Sequence, residues 1–156
     1  GQNFVAWHMV ETPSHLPDAP NELSLYGTEG YWTAENGTSL RRYTLRLDGF
    51  VSLWAPLSGG ELITKPLRFV GSRLAINFST SAAGSVRVEI QDTNGKPIPG
   101  FTLADCHEQF GDAIDRVVSW KSAADVSGLS GKPVRLRFVL KDSDVYSFQF
   151  TQKDNP

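Results

Sequence analysis

The sequence is poor in the features that carry most recognisable chemistry. Cys106 is its single cysteine, so no internal disulfide can form and thiols alone cannot complete a metal site. Long apolar runs are missing. None approaches the ~20 residues that a membrane-spanning helix requires, and no membrane partner is expected. Basic charge is not in excess either: 15 Lys plus Arg face 17 Asp plus Glu, for a formal charge of -2. A phosphate backbone would find no attracting field, so nucleic acid is not an expected partner. No G-x-S-x-G nucleophile elbow occurs, and His8, His15 and His107 are scattered. With no initiator Met and no signal peptide at Gly1, the expectation is a processed or excised piece of a longer protein.

What is present is a globular composition, 40% apolar and 21% charged over 156 residues, enough to bury one core unaided. The start, F-V-A-W-H-M-V, is apolar. Pro13, Pro17 and Pro20 then forbid regular structure and mark a loop. E-L-S-L-Y and Y-W-T, separated by G-T-E-G and followed by A-E-N-G-T, read as small hairpins.

From Leu40 to Leu47 the residues Tyr43, Leu45 and Leu47 share one face while Arg42, Thr44 and Arg46 share the other, the period of a half-buried strand. Asp48-Gly49 is a two-residue hairpin signal that predicts a partner strand starting at Phe50. Pro56 ends that strand and S-G-G supplies a corner. Leu74, Ile76 and Phe78 alternate, as do Val86, Val88 and Ile90 after S-A-A-G-S, which predicts two antiparallel neighbours. I-D-R-V-V-S-W is another strand candidate, and Asp125 to Leu129 a short turn or a single helical turn. V-R-L-R-F-V-L and Y-S-F-Q-F, with D-S-D as the turn between them, complete the pattern.

Short strands with Gly, Pro, Asn and Asp turns and no sustained helical period define the expected fold. It is all-β, an antiparallel two-sheet β-sandwich of the jelly-roll or lectin-like kind. Residues 1–39 read as an N-terminal adaptor with short hairpins, and residues 40–151 as the sandwich module.

Catalysis finds little support. A glycosidase needs two carboxylates across a cleft, and Asp48 and Glu89 have simpler roles, as a turn residue and as a partner for Arg87, Arg135 or Arg137. No catalytic residue is assigned. Asp105-Cys106-His107-Glu108 collects ligand types in a row, but adjacent residues rarely reach one ion. No cofactor is expected; the alternative kept open is a structural Ca²⁺ held by loop carboxylates, with Asp105, Glu108, Asp112 and Asp142 as unspecific candidates.

The aromatics are the remaining lead, because a sugar ring stacks its C–H groups on an aromatic face while planar polar side chains take its hydroxyls. Trp120 and Trp7 are expected in the core. Trp54 stands at a strand end just before Pro56 and the glycine corner, where it reads as a ligand platform. Arg42 and Arg46 lie on the polar side of the preceding strand. Trp32, Arg137 and Glu89 complete the expected ligand-binding set.

L-R-R-Y-T-L-R-L-D-G-F-V-S-L, G-G-E-L-I-T-K-P-L-R-F, G-S-V-R-V-E-I-Q-D, G-K-P-I-P-G-F and G-K-P-V-R-L-R-F-V-L-K-D-S-D-V-Y-S-F-Q-F carry a resemblance across Leu40 to Phe150. The chain resembles the C-terminal β-sandwich module that follows the propeller in bacterial proteins similar to glycoside hydrolase family 32. E-L-S-L-Y-G-T-E-G-Y-W resembles the last propeller strands and the crossing into the sandwich. The resemblance implies a secreted or periplasmic, polysaccharide-degrading context, with an upstream propeller that holds the catalytic carboxylates. It implies no ligand residue.

The leading expectation is a non-catalytic carbohydrate-binding module, with a polysaccharide or oligosaccharide as partner. The alternatives are a structural sandwich that stabilises a propeller without binding sugar, and a small free-standing glycosidase.

Overall fold

A computed structural model describes residues 3–31, 37–122 and 124–152. The fold is all-β, with two antiparallel sheets, as the sandwich pattern predicts. Among the described residues no helix is long and apolar enough to cross a membrane. Two compact units are present, Gly1–Phe50 and Val51–Pro156.

In the first unit, β1 (Phe4–Val5) and β2 (Val10–Thr12) line one edge of β3 (Glu22–Glu29), and β4 (Ser39–Arg46) lines the other. The alternation read for β4 holds in the register, which sets Tyr43 and Leu45 opposite Leu25 and Leu23, and Arg42 and Arg46 opposite Tyr26 and Glu22. Among the described residues no apolar side chain before Ala55 is buried. Trp7, expected in the core, is 86% exposed: it sits between the two short edge strands, edge-on to His8 at 5.6 Å. The A-E-N-G turn signal falls mostly on residues 32–36, outside the described residues.

The Asp48-Gly49 signal produces a turn but no hairpin. Asp48 takes a φ of 56° and the Gly49 N–H donates to the Arg46 carbonyl at 2.9 Å. A Cβ on Gly49 would lie 2.7 Å from that carbonyl oxygen, which explains the glycine. The chain beyond does not return along β4. The next strand, β5 (Leu53–Ala55), pairs inside the second unit.

The second unit holds β5, β6 (Gly60–Ile63), β7 (Arg73–Gln91), β8 (Asp112–Val117) and β9 (Arg135–Thr151) in one five-stranded sheet. Two turn signals are corrected here. S-A-A-G-S does not separate neighbouring strands, because β7 runs through it for 19 residues. D-S-D likewise lies inside β9, which runs for 17 residues. The long strands pair with each other, with register shifts between Asn77 and Phe78 and between Thr80 and Ser85. These are bulges, which bend strands rather than end them. Asp142 has a φ of 40°, and a Cβ on Gly84 would collide with the Asp142 carbonyl oxygen.

The bulges decide which side chains face inward. On β7 the inward set is Leu74, Ile76 and Phe78, then Val86, Val88 and Ile90. On β9 it is Leu136, Phe138 and Leu140, then Ser143 and Val145. The switch from even to odd positions between Leu140 and Ser143 is the extra residue of the bulge. Trp120, 1% exposed, anchors this core as expected: its Nε1–H donates to the Val88 carbonyl at 3.0 Å, and Phe101 meets it edge-on at 5.2 Å. Phe69 stacks on Phe150 at 3.7 Å. Residues 127–129 form a single 3₁₀ turn, the helical of the two readings made for this stretch.

Candidate functional site

The face of the second unit's sheet turned away from this core is built from the positions between the inward ones. β5 and β6 act as one interrupted edge strand, since both pair with β9. Between them Pro56 and Gly59 make the corner that S-G-G predicts: the Gly59 N–H donates to the Pro56 carbonyl at 2.8 Å, and Asp142 N–H donates to the same oxygen at 3.0 Å. The register sets Trp54 opposite Asp144, and Glu61 and Ile63 opposite Val139 and Arg137. Ala55 and Leu62 pair with the inward Ser143 and Phe138. Trp54, Glu61 and Arg137 therefore share the outward face.

Trp54 is 65% exposed. With Pro56, Gly60 and Glu61, and with Leu53, Ala55, Leu62 and Leu140 from inward positions, it lines a groove of about 160 Å³ at the interruption between β5 and β6. Beside it, Ser52 Oγ donates to Asp144 Oδ1 at 2.6 Å. Arg137 fixes the Glu61 carboxylate by donating to Oε2 from Nε at 2.9 Å and from Nη2 at 2.7 Å. Glu61 Oε1 keeps no hydrogen-bond partner among the described residues. The bonds to Glu61 also raise the Arg137 pKa above its ordinary value, so the cation is permanent.

Glu89 lies deeper, at 3% exposure. Its Oε1 accepts from Gln91 Nε2 at 2.8 Å and more distantly from Arg137 Nη1 at 3.5 Å. Its Oε2 accepts the Leu103 N–H at 3.1 Å. Glu89 is thus the partner of Arg137 that the sequence suggested, but a buried one that ties a loop to the sheet.

Arg42 and Arg46 belong to the first unit. Arg42 donates from Nε to Ser24 Oγ at 2.7 Å, and from Nη2 to Glu22 Oε1 and Thr12 Oγ1, both at 2.7 Å. It is a cross-strand clamp within that sheet. Arg46 stands at the end of β4 opposite Glu22. Trp32 lies outside the described residues. Of the six expected residues, the structure brings Trp54, Arg137 and Glu89 together within one sheet, and the residue joining them is Glu61. Glu61 was missed because its neighbour is made by pairing β6 with β9; its alternation with Leu62 and Ile63 was the only local signal.

The Ca²⁺ candidates are dispersed. Asp105 accepts from Thr102 Oγ1 at 2.8 Å and faces Lys121 at 3.9 Å. Glu108 pairs with Arg87 at 2.6 Å, and hydrogen bonds from Ser85 and then Arg87 lower its pKa. Asp112 opens β8 and Asp142 sits at the bulge. Among the described residues no three His, Cys, Asp or Glu side chains are grouped to hold an ion. Cys106 is buried, as a small hydrophobe would be.

No protein-family model, no curated protein and no solved structure matches this chain. The resemblance to modules of the glycoside hydrolase family 32 group rests on the turn and strand motifs alone.

Proposed function

We propose that the chain is a non-catalytic carbohydrate-binding module, taking a polysaccharide on the outward face of its second unit and targeting an attached glycoside hydrolase in a secreted or periplasmic bacterial setting. The observation that carries this reading is an exposed indole, Trp54, sharing a groove with a carboxylate that Arg137 holds by one oxygen only. A sugar stacked on the indole would present its C–H face to the ring and a hydroxyl to Glu61 Oε1. Of the two carboxylates that Arg137 touches, Glu89 is buried with both oxygens accepting hydrogen bonds, so Glu61 and Glu89 do not frame the open cleft that glycoside hydrolysis uses. Shallow grooves bind weakly, on the order of -4 to -8 kcal/mol, micromolar to millimolar.

A glycan array followed by affinity electrophoresis tests the reading. Retention on at least one polysaccharide is expected, and Trp54→Ala should abolish it. Absence of retention across the array, or retention that survives Trp54→Ala, overturns it.

The structural alternative, a module that docks on an upstream propeller, is favoured by a different observation. A largely apolar groove of about 540 Å³ is lined by Val51, Leu53, Leu62, Val145 and Phe148. Under that reading Val51→Asp and Leu53→Asp weaken docking, whereas Trp54→Ala leaves it intact.

A further inference from the structure

A second groove, of about 290 Å³, lies farther along the sheet face that carries Trp54 and Glu61. Arg73, Asp115, Gln149, Thr151 and Gln152 line it around Ala75. Three strands build it: Arg73 and Ala75 on β7 pair with Thr151 and Gln149 on β9, and Ala75 also pairs with Val117 on β8. The hollow exists because Ala75, 3% exposed, is a short side chain ringed by longer ones.

Guanidinium groups on this face differ in how they are held, and Arg135 Nε is buried without a hydrogen-bond partner among the described residues. Arg87 is closed onto Glu108 and Arg137 onto Glu61. By contrast, the side chains of Arg73, Asp115, Gln149, Thr151 and Gln152 make no hydrogen bond or ion pair with any described residue. The guanidinium and the carboxylate line one groove without closing on each other. Their formal charges cancel, which disfavours a phosphate, repelled by Asp115, and a cation, repelled by Arg73. A donor fork, an acceptor pair, two amides and a hydroxyl around an apolar floor suit a neutral ring bearing vicinal hydroxyls.

Outward positions on β9 connect the two grooves, from Asp144 opposite Trp54 to Gln149 opposite Ala75. At ~3.3 Å per residue the two centres are roughly 15 Å apart along the strand, within reach of one short glycan. We propose that the Arg73–Asp115–Gln149 groove is a second subsite for the same neutral glycan chain, so that the module grips an extended chain along its length rather than a chain end. The proposal rests on the reading of the Trp54 groove as a sugar site.

The test follows side-chain NMR signals while the chain is titrated with malto-, cello- and xylo-oligosaccharides, from disaccharide to octasaccharide. The Trp54 indole N–H reports the first groove, and the Gln149 and Gln152 amides the second. With a series that binds, both sets should move with the octasaccharide, which should bind tighter than the disaccharide on the order of tenfold. Arg73→Ala, and independently the conservative Asp115→Asn, should erase that gain and leave disaccharide affinity unchanged. If the Trp54 signal moves while the Gln149 and Gln152 signals stay still at saturating octasaccharide, the second subsite is refuted and the Trp54 reading stands. Movement of the glutamine signals alone keeps the second groove as a sugar site but refutes the spanning chain and the Trp54 reading. Silence of both sets with every oligosaccharide overturns both.

Discussion

Glu89→Ala would measure how much of the second unit hangs on one buried carboxylate. Glu89 satisfies a buried donor, the Gln91 amide at 2.8 Å, and a part-buried one, the Leu103 N–H at 3.1 Å, and touches Arg137 at 3.5 Å. Truncation leaves both donors without an acceptor, at ~1–3 kcal/mol each. The Arg137 contact adds little, because it is long, the guanidinium side chain is 31% exposed, and two hydrogen bonds to Glu61 still hold it. Relief of the desolvated charge offsets part of the loss, so the expected destabilisation is about 2–4 kcal/mol. Glu89→Gln keeps one acceptor and should lose roughly half as much. Urea unfolding followed by the fluorescence of buried Trp120 reads the change, with hydrogen exchange at the Leu103 amide as a local reporter. A Glu89→Ala protein within about 0.5 kcal/mol of wild type, or one in which Leu103 exchanges no faster, would refute the reasoning.

Three further outcomes follow from the same contacts. Trp120→Ala should cost about 3–5 kcal/mol in urea unfolding, since it empties the core and strips the Val88 carbonyl of its donor, whereas the exposed Trp54→Ala should cost under about 1 kcal/mol. In the first unit, Tyr43 Oη donates to Glu29 Oε1 at 2.6 Å, which lowers the Glu29 pKa below 4.5, with Arg41 adding to it. The stability this contributes is complete above the unfolded pKa and disappears as pH falls through the lowered folded value. Tyr43→Phe should accordingly flatten the acid side of a melting-temperature profile, and an unchanged profile would count against the bond. Burial raises the Cys106 pKa, so a disulfide reagent at neutral pH should label the folded chain far more slowly than the urea-unfolded chain; equal rates would contradict its placement.

Some parts of the site were legible and others were not, for reasons visible in particular residues. Trp54 could be singled out because its cues are local: a strand end, a proline two residues on and a glycine corner. Trp7 misled because an apolar run carries no record of whether anything covers it, and here it is 86% exposed. Arg42 and Arg46 seemed to belong with Trp54 through nearness along the chain, yet they lie in a sheet of the other unit. Glu61 carried only its local alternation with Leu62 and Ile63, and gained a partner when pairing of β6 with β9 brought it within 2.7 Å of Arg137 Nη2.

Alternation and turn chemistry, read from the sequence alone, were enough to determine that the chain is all-β and where its backbone bends. Those properties are encoded within a few residues, in the side-chain period of a strand and in the φ angles that glycine and aspartate tolerate. Whether a bend reverses the chain or only bulges a strand depends on where the following residues find hydrogen-bond partners, and those partners are distant in sequence. Asp48-Gly49 became a turn without a hairpin, and the bends at residues 81–84 and at Asp142 became bulges within two long paired strands. Because one added residue swaps the two faces of a strand, tertiary pairing decided that Trp54, Glu61 and Arg137 share the outward face.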